Sequence, residues 1–463
     1  MVNKDGWHQI PLGGLTAILE VLDDGTGTGG KTVRVEPGAT VSEVTHYLSS
    51  QGLMLDCTLE MEDATLGGLA AATGMTSHSH VCGLIHDTIT AYEVVLPSGE
   101  VAMVTEDGPH AHLFNVLPWS HGALGFLVGV TLRCVPSAPY VKLSYRPFKT
   151  MAAFAEAYQQ RLAEAHRGDA GVPWFIEGIA YTKDHAVLVE GRLCHSPTES
   201  GAAMNNMGLW HKPWYFKHVE RALNDAGGLA DETVPMYDYL MRHDRSMCMT
   251  MPYILPFGND AWFRWCFGWL LPPYMALLKG SHTDETREAS ARKQVYQDLG
   301  FPADKFEEMV AFCDDTFAIY PLLVYPCQVA DVPGRMVRCT PCTDGPTKTA
   351  TSSPLSTLAS APSSAMYMNL GLYGVPRDIL DHKPFKTVTK VRALEQRLRE
   401  IGGFQHTYCD SFQKRGEFEA MFDMRTHNAK RAELGADGAL VDVYTKTRPE
   451  VDVFAWLEAE ASM

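Results

Sequence analysis

The chain has 463 residues, of which 46% are hydrophobic and 20% are charged, values typical of a folded globular protein. They exclude a fibrous repeat and disorder over most of the length, and the net charge of −16 argues against a surface for nucleic acid. The 11 cysteines are irregularly spaced behind an opening without a leader pattern, so we expect reduced thiols rather than a disulfide framework.

The first 140 residues have the pattern of an α+β domain. In chain order they predict strands at 15–24 and 31–38, a helix at 41–52, a hairpin at 90–105 and a strand at 124–136. The strands are separated by other elements, so we expect them to pair over long distances in the sequence.

From about residue 141 the sequence changes to longer segments rich in aromatics, which indicates a second domain over 141–342. It predicts helices at 151–166 and 285–315 and a hairpin at 175–193. Residues 343–365 are rich in Ser, Thr, Pro and Ala, and we expect a disordered surface insertion there. Residues 366–463, with a helix from about 385 to 401, are expected to complete the second domain and return to the first.

Two short motifs look like known sites and are rejected. Residues 25–32 (GTGTGGKT) satisfy both glycine-rich phosphate patterns, which need a helix after the glycines. Here residues 32–36 alternate like a strand and end at Pro37, so we expect a hairpin loop without nucleotide. Cys339 and Cys342 form a C-x-x-C pair with no second pair at zinc spacing, so we expect no metal site.

The segment 65–83 (TLGGLAAATGMTSHSHVCG) carries a more specific signal. Closely spaced glycines let a backbone approach a flat anionic ligand, and hydroxyls and exposed amides bind phosphate oxygens without a cation. By itself the segment indicates a dinucleotide site. A second small-residue turn follows at 119–128, between a helix-like segment and a strand.

This pair of segments resembles the FAD-binding domain of the FAD-linked oxidases, the vanillyl-alcohol oxidase or PCMH type. The resemblance implies that both segments wrap the flavin nucleotide. The cofactor-binding residues are then expected to be Thr65, Gly67, Gly68, Gly74, Ser77, Ser79, His80, Gly83, Trp119, Ser120, Gly122, Gly125 and Val128. His80 would be the point of covalent attachment in the broader superfamily.

The chain is similar, more narrowly, to the Δ24-sterol reductases (the seladin and diminuto proteins) over roughly residues 13–446. The resemblance lies in an ordered series of motifs, among them those at 212–220, 242–246, 254–259, 371–374 and 421–423. It implies an α+β PCMH-type FAD-binding domain followed by a mixed α/β cap or substrate domain. It also implies an N-terminal anchor and a first flavin subdomain ahead of this sequence, so we expect a truncated N-terminus. Thr250 departs from the acidic residue of the family.

The resemblance implies reduction of the Δ24 side-chain double bond of a sterol, with non-covalent FAD as the relay and NADPH as the electron donor. An isolated alkene is not polarised, so a general acid must supply a proton beside the hydride. His243 is the first candidate for that acid, because an imidazolium donates a proton near neutral pH. Further candidates are Arg242, Arg245, Glu177 and Tyr320. Alternatively, Arg242, His243 and Arg245 hold NADPH phosphates or the flavin edge.

Other functions stay open. The chain could be an FAD-linked oxidase of an alcohol or hydroxy acid, or a truncated paralogue that binds sterol without turnover. The apolar stretch 262–278 contains Arg264, Pro272 and Pro273, which makes a membrane span too costly. It predicts a substrate channel, a peripheral membrane contact or buried core. The resemblance implies the cytosolic face of the endoplasmic reticulum membrane, while a soluble cytoplasmic location stays open.

Overall fold

The computed structural model describes residues 8, 10–25, 29–169, 171–224, 228–271, 288, 291–339, 364–449 and 452–461. The strands are β1 (Ile18–Asp23), β2 (Lys31–Val35), β3 (Leu53–Leu55), β4 (Ile89–Val95), β5 (Val101–Thr105), β6 (Phe126–Pro136), β7 (Tyr140–Phe148), β8 (Phe175–Ala180), β9 (Ala186–Cys194), β10 (Ala203–Met204), β11 (Glu232–Pro235), β12 (Val295–Pro302), β13 (Leu322–Ala330), β14 (Ser364–Gly374) and β15 (Phe404–Gln405).

The described α-helices are α1 (Val41–Ser49), α2 (Leu66–Ala71), α3 (Ser79–Cys82), α4 (Ala111–Phe114), α5 (Met151–Arg167), α6 (Pro197–Ser200), α7 (Tyr215–Val219), α8 (Arg221–Asn224), α9 (Met236–Leu240), α10 (Met251–Ile254), α11 (Ala261–Phe267), α12 (Phe306–Thr316), α13 (Arg377–Leu380), α14 (Thr387–Glu400), α15 (Arg415–Met421), α16 (Arg425–Glu433), α17 (Val443–Thr447) and α18 (Val453–Ala461). Short 3₁₀ turns lie at 85–88, 244–246, 268–270 and 303–305.

The described strands form two sheets, and the chain passes from one to the other between Pro136 and Tyr140. The first sheet has the order β1-β2-β6-β4-β5, with β3 also paired to β6. The second has the order β10-β11-β7-β9-β8-β13-β14-β12-β15. The strand pairs are antiparallel except for the short pair β10 and β11. The predicted α+β class is confirmed.

Local sequence patterns predict most of these elements. The glycines at 25–30 separate β1 from β2, which pair antiparallel, and Lys31 enters β2 with its ammonium 2.6 Å from the Asp23 carboxylate. The predicted hairpin is confirmed, and the helix that a phosphate motif needs does not follow the glycines. The hairpins β4–β5 and β8–β9 and the helix α5 also lie where the sequence predicts them.

One prediction was wrong. Instead of a helix over 285–315, residues 295–302 form β12, which pairs with β14 and β15, and α12 begins only at Phe306. Because β12 is buried on both faces, its sequence VYQDLGFP lacks the alternation of apolar and polar residues that marks a half-buried strand. Strand β14 begins at Ser364, two residues inside the insertion predicted at 343–365, whose residues 343–363 lie outside the described part. Cys342 also lies outside it.

The second sheet has two different faces because side chains alternate along each strand. One face packs beneath α5, α12 and α14, where Phe154, Phe306 and Val391 meet Val324 and Leu370. The opposite face joins the core of the first sheet in one continuous cluster. Polar residues on that second face, described below, form the wall of a cavity between the two sheets.

The C-terminal segment returns to the first sheet. The Phe422 ring lies 6.2 Å from the Trp119 ring, and an Arg431 guanidinium nitrogen donates to the Ala123 carbonyl oxygen. These two contacts hold the segment 119–128 against residues 422–431. No helix in the part of the chain that the structure describes is long and apolar enough to cross a membrane.

Candidate active site

A cavity of about 400 Å³ lies between the segment 59–75, which contains α2, and the second sheet. Its apolar lining includes Leu59, Met61, Leu69, Met75 and Leu323. Its polar lining includes Glu60, Thr65, Thr73, His243, Asp298, Tyr325, Asn369, Tyr373 and Tyr408. The cavity is therefore a largely apolar space with several titratable groups on its walls.

The sheet wall of the cavity comes from strand alternation on β12, β13 and β14. Asp298 and Leu323 both pair with Gly371, and Tyr325 pairs with Asn369, so these side chains share one face. Gly371 leaves the space that the ring of Tyr373 occupies, because a Cβ at 371 would lie 2.6 Å from the Tyr373 hydroxyl. The Tyr373 hydroxyl thereby reaches Oδ1 of Asp298 at 2.5 Å.

The opposite wall contains the start of α2. Thr65 caps this helix by accepting a hydrogen bond from the Gly68 amide at 3.3 Å. Gly67 packs directly on Pro37, where a Cβ would lie 2.2 Å from the proline Cβ. Thr65 and Gly68 are exposed and line the cavity, so the first turn of α2 presents a small side chain and a glycine to its interior.

A buried charge network closes one end of the cavity. The Arg242 Nε donates to Glu177 Oε2 at 2.9 Å, and a terminal guanidinium nitrogen lies 3.3 Å from Glu60 Oε1. Arg242 also donates to the Tyr325 hydroxyl at 3.2 Å and stacks over the Tyr239 ring at 4.2 Å. Its five donors are thus largely occupied inside the protein.

His243 links this network to the cavity. Its Nε2 lies 2.5 Å from Glu177 Oε1, which holds the imidazole in one orientation. The Nδ1 atom is buried and forms no hydrogen bond within the described residues. Because His243 lines the cavity, that nitrogen is a polar atom without a protein partner at the site.

The two carboxyls around Arg242 have opposite pKa shifts. Burial pushes the pKa of Glu177 upward, but Arg242 and His243 overcome this effect and hold it at about 2. Burial dominates at Glu60 and raises its pKa above the ordinary value despite Arg242. Glu177 is therefore the ionised partner of the network, and Glu60 the carboxyl that retains a proton more readily.

A second polar group faces the cavity from the sheet. Asp298 accepts hydrogen bonds from the Tyr373 hydroxyl and, at 3.1 Å, from Asn369 Nδ2, and Tyr408 is a third partner. Burial raises the pKa of Asp298, and these neutral donors only partly offset that effect.

The segment 119–128 is not part of the lining of this cavity. It connects the end of α2, which borders the cavity, to the ammonium group of Lys446. The His121 amide donates to the Ala71 carbonyl at the end of α2 at 2.9 Å. The Lys446 ammonium donates to the His121 carbonyl at 2.5 Å. At Gly122, where φ is +72°, a Cβ would lie 3.6 Å from that ammonium. Burial, and then Arg431, lowers the pKa of Lys446 to about 8, and an anion placed there would raise that pKa again.

Comparison with known proteins places the chain in a family. A family model described as an FAD binding domain matches residues 9–105. The Delta(24)-sterol reductase of Homo sapiens is 33% identical over 430 residues, which cover 93% of this chain and 76% of that protein. The Rattus norvegicus enzyme is 34% identical over 433 residues, with the same coverage. The Arabidopsis thaliana enzyme is 30% identical over 444 residues, 95% of this chain and 76% of the relative.

The chain belongs to the Delta(24)-sterol reductase family. The resemblance predicted from the motif series is confirmed. Two of the motifs that suggested it supply cavity residues: residues 242–246 contain His243, and residues 371–374 contain Tyr373.

The predicted cofactor residues fall into two groups in this sterol reductase relative. Thr65 and Gly68 line the cavity. The others are not part of this cavity lining and stay predictions as cofactor residues: Gly67, Gly74, Ser77, Ser79, His80, Gly83, Trp119, Ser120, Gly122, Gly125 and Val128. Ser77, for example, shares a hydrogen bond of 3.1 Å with the Tyr239 hydroxyl, and a Cβ on Gly125 would meet Val94 at 2.5 Å.

His80 is among these residues. Its Nε2 lies 3.1 Å from the Pro173 carbonyl oxygen, and burial lowers its pKa to about 3. The side chain packs between the two sheets and is not part of the cavity lining.

The predicted catalytic residues are likewise divided. His243, Glu177 and Arg242 come together at the cavity, whereas Arg245 donates to the carbonyl oxygens of residues 207, 209, 210 and 212 and tethers that loop. The Tyr320 hydroxyl donates to Asp314 at 2.9 Å, and Tyr320 packs with the helix-covered face of the sheet. In the described part of the chain, the terminal nitrogens of Arg245 and most donors of Arg242 bind protein acceptors, and the unpartnered Nε of Arg245 is buried.

Sequence reasoning missed Glu60, Asp298, Tyr325, Asn369 and Tyr408 as site residues. Asp298 carried one usable signal, because it is the one acid among residues 295–302. The other signals are tertiary. Glu60 and Tyr325 meet through Arg242, which is remote from both in sequence.

Proposed function

We propose that this chain reduces the Δ24 side-chain double bond of sterols, with FAD as its bound cofactor and NADPH as the electron donor. The named activity of the relatives and the FAD-binding family model support the proposal. The observation that carries it is the apolar cavity of about 400 Å³ with titratable groups confined to two patches, His243 with Glu60 and Asp298 with its tyrosines. Alkene reduction needs such a water-poor space with an acid on its wall.

The residues present fit FAD. The absence of a side chain at Gly68 leaves room for a flat ring system, and the unpartnered Nδ1 of His243 suits its polar rim. The Lys446 ammonium beside Gly122 suits phosphate oxygens. Bound FAD would supply a two-electron carrier able to give a hydride to carbon.

The chain itself has three tasks in this reaction. Leu59, Leu69 and Leu323 exclude water from the reacting carbons. Glu177 fixes the imidazole of His243 through Nε2, so that Nδ1 holds its position at the cavity wall. An acid on the wall must also deliver a proton, because the isolated alkene does not accept a hydride alone.

A peripheral membrane contact is also proposed for this family member. In α11 and the turn after it, Trp262, Trp265 and Trp269 are 56%, 61% and 63% exposed, and Leu270 is exposed beside them. Clustered tryptophans favour the membrane–water interface, where an apolar sterol would be held. The remainder of the predicted contact, residues 272–278, lies outside the described residues. By resemblance the membrane is that of the endoplasmic reticulum.

Vesicle binding tests this contact. Replacing Trp265 and Trp269 with Gln is expected to reduce cosedimentation with phosphatidylcholine vesicles several-fold, while Met103→Gln, on an exposed residue of the first sheet, leaves it unchanged. Equal binding of the double variant and the parent protein would refute the contact.

The catalytic proposal is tested with purified protein reconstituted with FAD. Incubation with NADPH and a Δ24 sterol in vesicles should yield the saturated side chain, detected by mass spectrometry. Peroxide release from an alcohol or hydroxy acid without sterol turnover would favour the oxidase alternative. Retention of sterol without flavin or turnover would favour the non-catalytic alternative.

A further inference from the structure

We propose that Asp298 is the acid that delivers the proton to the sterol alkene, an inference that rests on the proposed reductase function. The residue lies in the middle of β12 on the face that forms the cavity wall, and its side chain is held by Tyr373, Asn369 and Tyr408. No relationship in the sequence alone singles it out for this role.

The surroundings of Asp298 differ from those of the other buried acids at the cavity. Glu177 and Glu60 both contact the Arg242 guanidinium, which favours their charged forms, although burial still raises the pKa of Glu60. Asp298 is only 4% exposed, and no lysine, arginine or histidine in the described part of the chain forms an ion pair with it. The titratable groups that face it are the hydroxyls of Tyr373 and Tyr408 and the thiols of Cys248 and Cys409.

An acid in this position can both hold and release a proton. Burial raises the pKa of Asp298, which favours the protonated carboxyl before the reaction. After proton transfer, the Tyr373 hydroxyl and the Asn369 amide stabilise the carboxylate without moving, since both already reach Oδ1. The hydrogen bonds that stabilise the carboxylate are therefore in place before the proton is transferred.

The charge that develops in the substrate also favours Asp298 over His243. Proton addition breaks the Asp298 O–H bond, forms a C–H bond at the less substituted alkene carbon and leaves a tertiary cation at the other carbon. The new carboxylate lies near that cation and attracts it, whereas His243 adjoins the permanent positive charge of Arg242. A hydride from the proposed FAD and NADPH pair forms the second C–H bond, and Asp298 regains its proton from solvent.

Gly371 makes this arrangement possible. Any side chain at 371 would displace the Tyr373 ring, because a Cβ would lie 2.6 to 2.7 Å from several of its atoms. Gly371 is therefore a positioning residue for the Tyr373–Asp298 hydrogen bond, and Gly371→Ala should lower the rate of sterol reduction without removing the acid.

The experiment separates the two half-reactions in the FAD-reconstituted chain. Asp298→Asn keeps the size of the side chain and removes the proton, and Asp304→Asn, at a 65% exposed position a few residues away, is the control. We expect Asp298→Asn to bind sterol with a dissociation constant within about 3-fold of the parent and to be reduced by NADPH at the parental rate. Oxidation of its reduced flavin by the Δ24 sterol should be at least ~100-fold slower.

A pH profile and a second variant make the test specific. In the parent protein the sterol half-reaction should slow as the pH rises through the pKa of Asp298, and this dependence should disappear in Asp298→Asn. Asp298→Glu, which retains an acid, should keep more than a tenth of the parental rate. If Asp298→Asn keeps a tenth or more of the rate while His243→Gln loses it, His243 is the donor and the proposal is overturned. If the parent protein is reduced by NADPH but never oxidised by sterol, the proposed function itself fails.

Discussion

The Nε2 atom of His243 lies 2.5 Å from Oε1 of Glu177, and both side chains are completely buried. The other carboxylate oxygen of Glu177 accepts from Arg242 at 2.9 Å. One carboxylate thus compensates a buried guanidinium and orients the imidazole at the cavity wall. Both the stability of the protein and the geometry of the proposed site depend on this carboxylate.

Replacing Glu177 with Gln should lower the free energy of unfolding at pH 7 by about 3 to 5 kcal/mol, because Arg242 is left buried without its ionised partner. The pKa of Glu177 is depressed from 4.5 to about 2, so its stabilisation is present above 4.5 and is lost as the pH falls towards 2. Urea unfolding of the parent protein and of Glu177→Gln, at pH 7 and at pH values between 4.5 and 2, measures the loss. A change below ~1 kcal/mol, the effect expected for the exposed Glu419→Gln, would contradict this account.

Glu395 on α14 should make stability fall as the pH rises. Burial raises its pKa from 4.5 to about 8, so the folded state holds a proton that the unfolded chain releases above pH 4.5. The free energy of unfolding then falls by about 1.4 kcal/mol per pH unit across this window. Glu395→Gln, which stays neutral, should match the parent near pH 4.5 and exceed it in stability at pH 8. Parallel pH curves for the two proteins would refute the prediction.

Gly67→Ala should destabilise the protein by about 1 to 3 kcal/mol, because the new methyl group would meet Pro37 at 2.2 Å. Gly416→Ala is the matched control, since no atom lies within 4 Å of a Cβ at that exposed helical position. It should be neutral or stabilise by up to ~1 kcal/mol. Thermal unfolding measures the stability of both variants. Equal melting temperatures would contradict the prediction, because they would show that α2 tolerates the methyl group.

Lys446→Gln should weaken FAD binding at least ~10-fold if the ammonium holds a phosphate of the cofactor, since a charge-assisted contact contributes about 1.5 to 3 kcal/mol. Lys430→Gln removes a similar charge from a surface pair with Glu433 and should leave the affinity unchanged. Flavin fluorescence titration gives both dissociation constants. Equal affinities for the two variants would place the phosphates elsewhere.

The sequence predicts much of the local structure because short-range patterns determine it. The turn at Gly99, with φ at +88°, fixes the β4–β5 hairpin, and the Thr40 and Glu43 capping box begins α1 at the predicted place. Strand β12 was not predicted because its sequence has no period-two pattern of apolar residues. Pairing with β14 and β15 makes this segment a strand.

The site was only partly predictable for the same reason. His243 and Glu177 could each be named from residue type, but their pairing depends on the turn after α9, which carries His243, lying against β8, which carries Glu177. The role of Gly371 becomes visible only when Tyr373 lies over it and reaches Asp298. Long-range strand register, which single-sequence patterns do not encode, brings these groups together.

The most direct test of the central claim is anaerobic mixing of the NADPH-reduced, FAD-reconstituted protein with a Δ24 sterol. The proposed function predicts that the oxidised flavin absorbance returns in step with formation of one saturated sterol per flavin. A flavin that stays reduced with the sterol yet reoxidises in air with release of peroxide would contradict it.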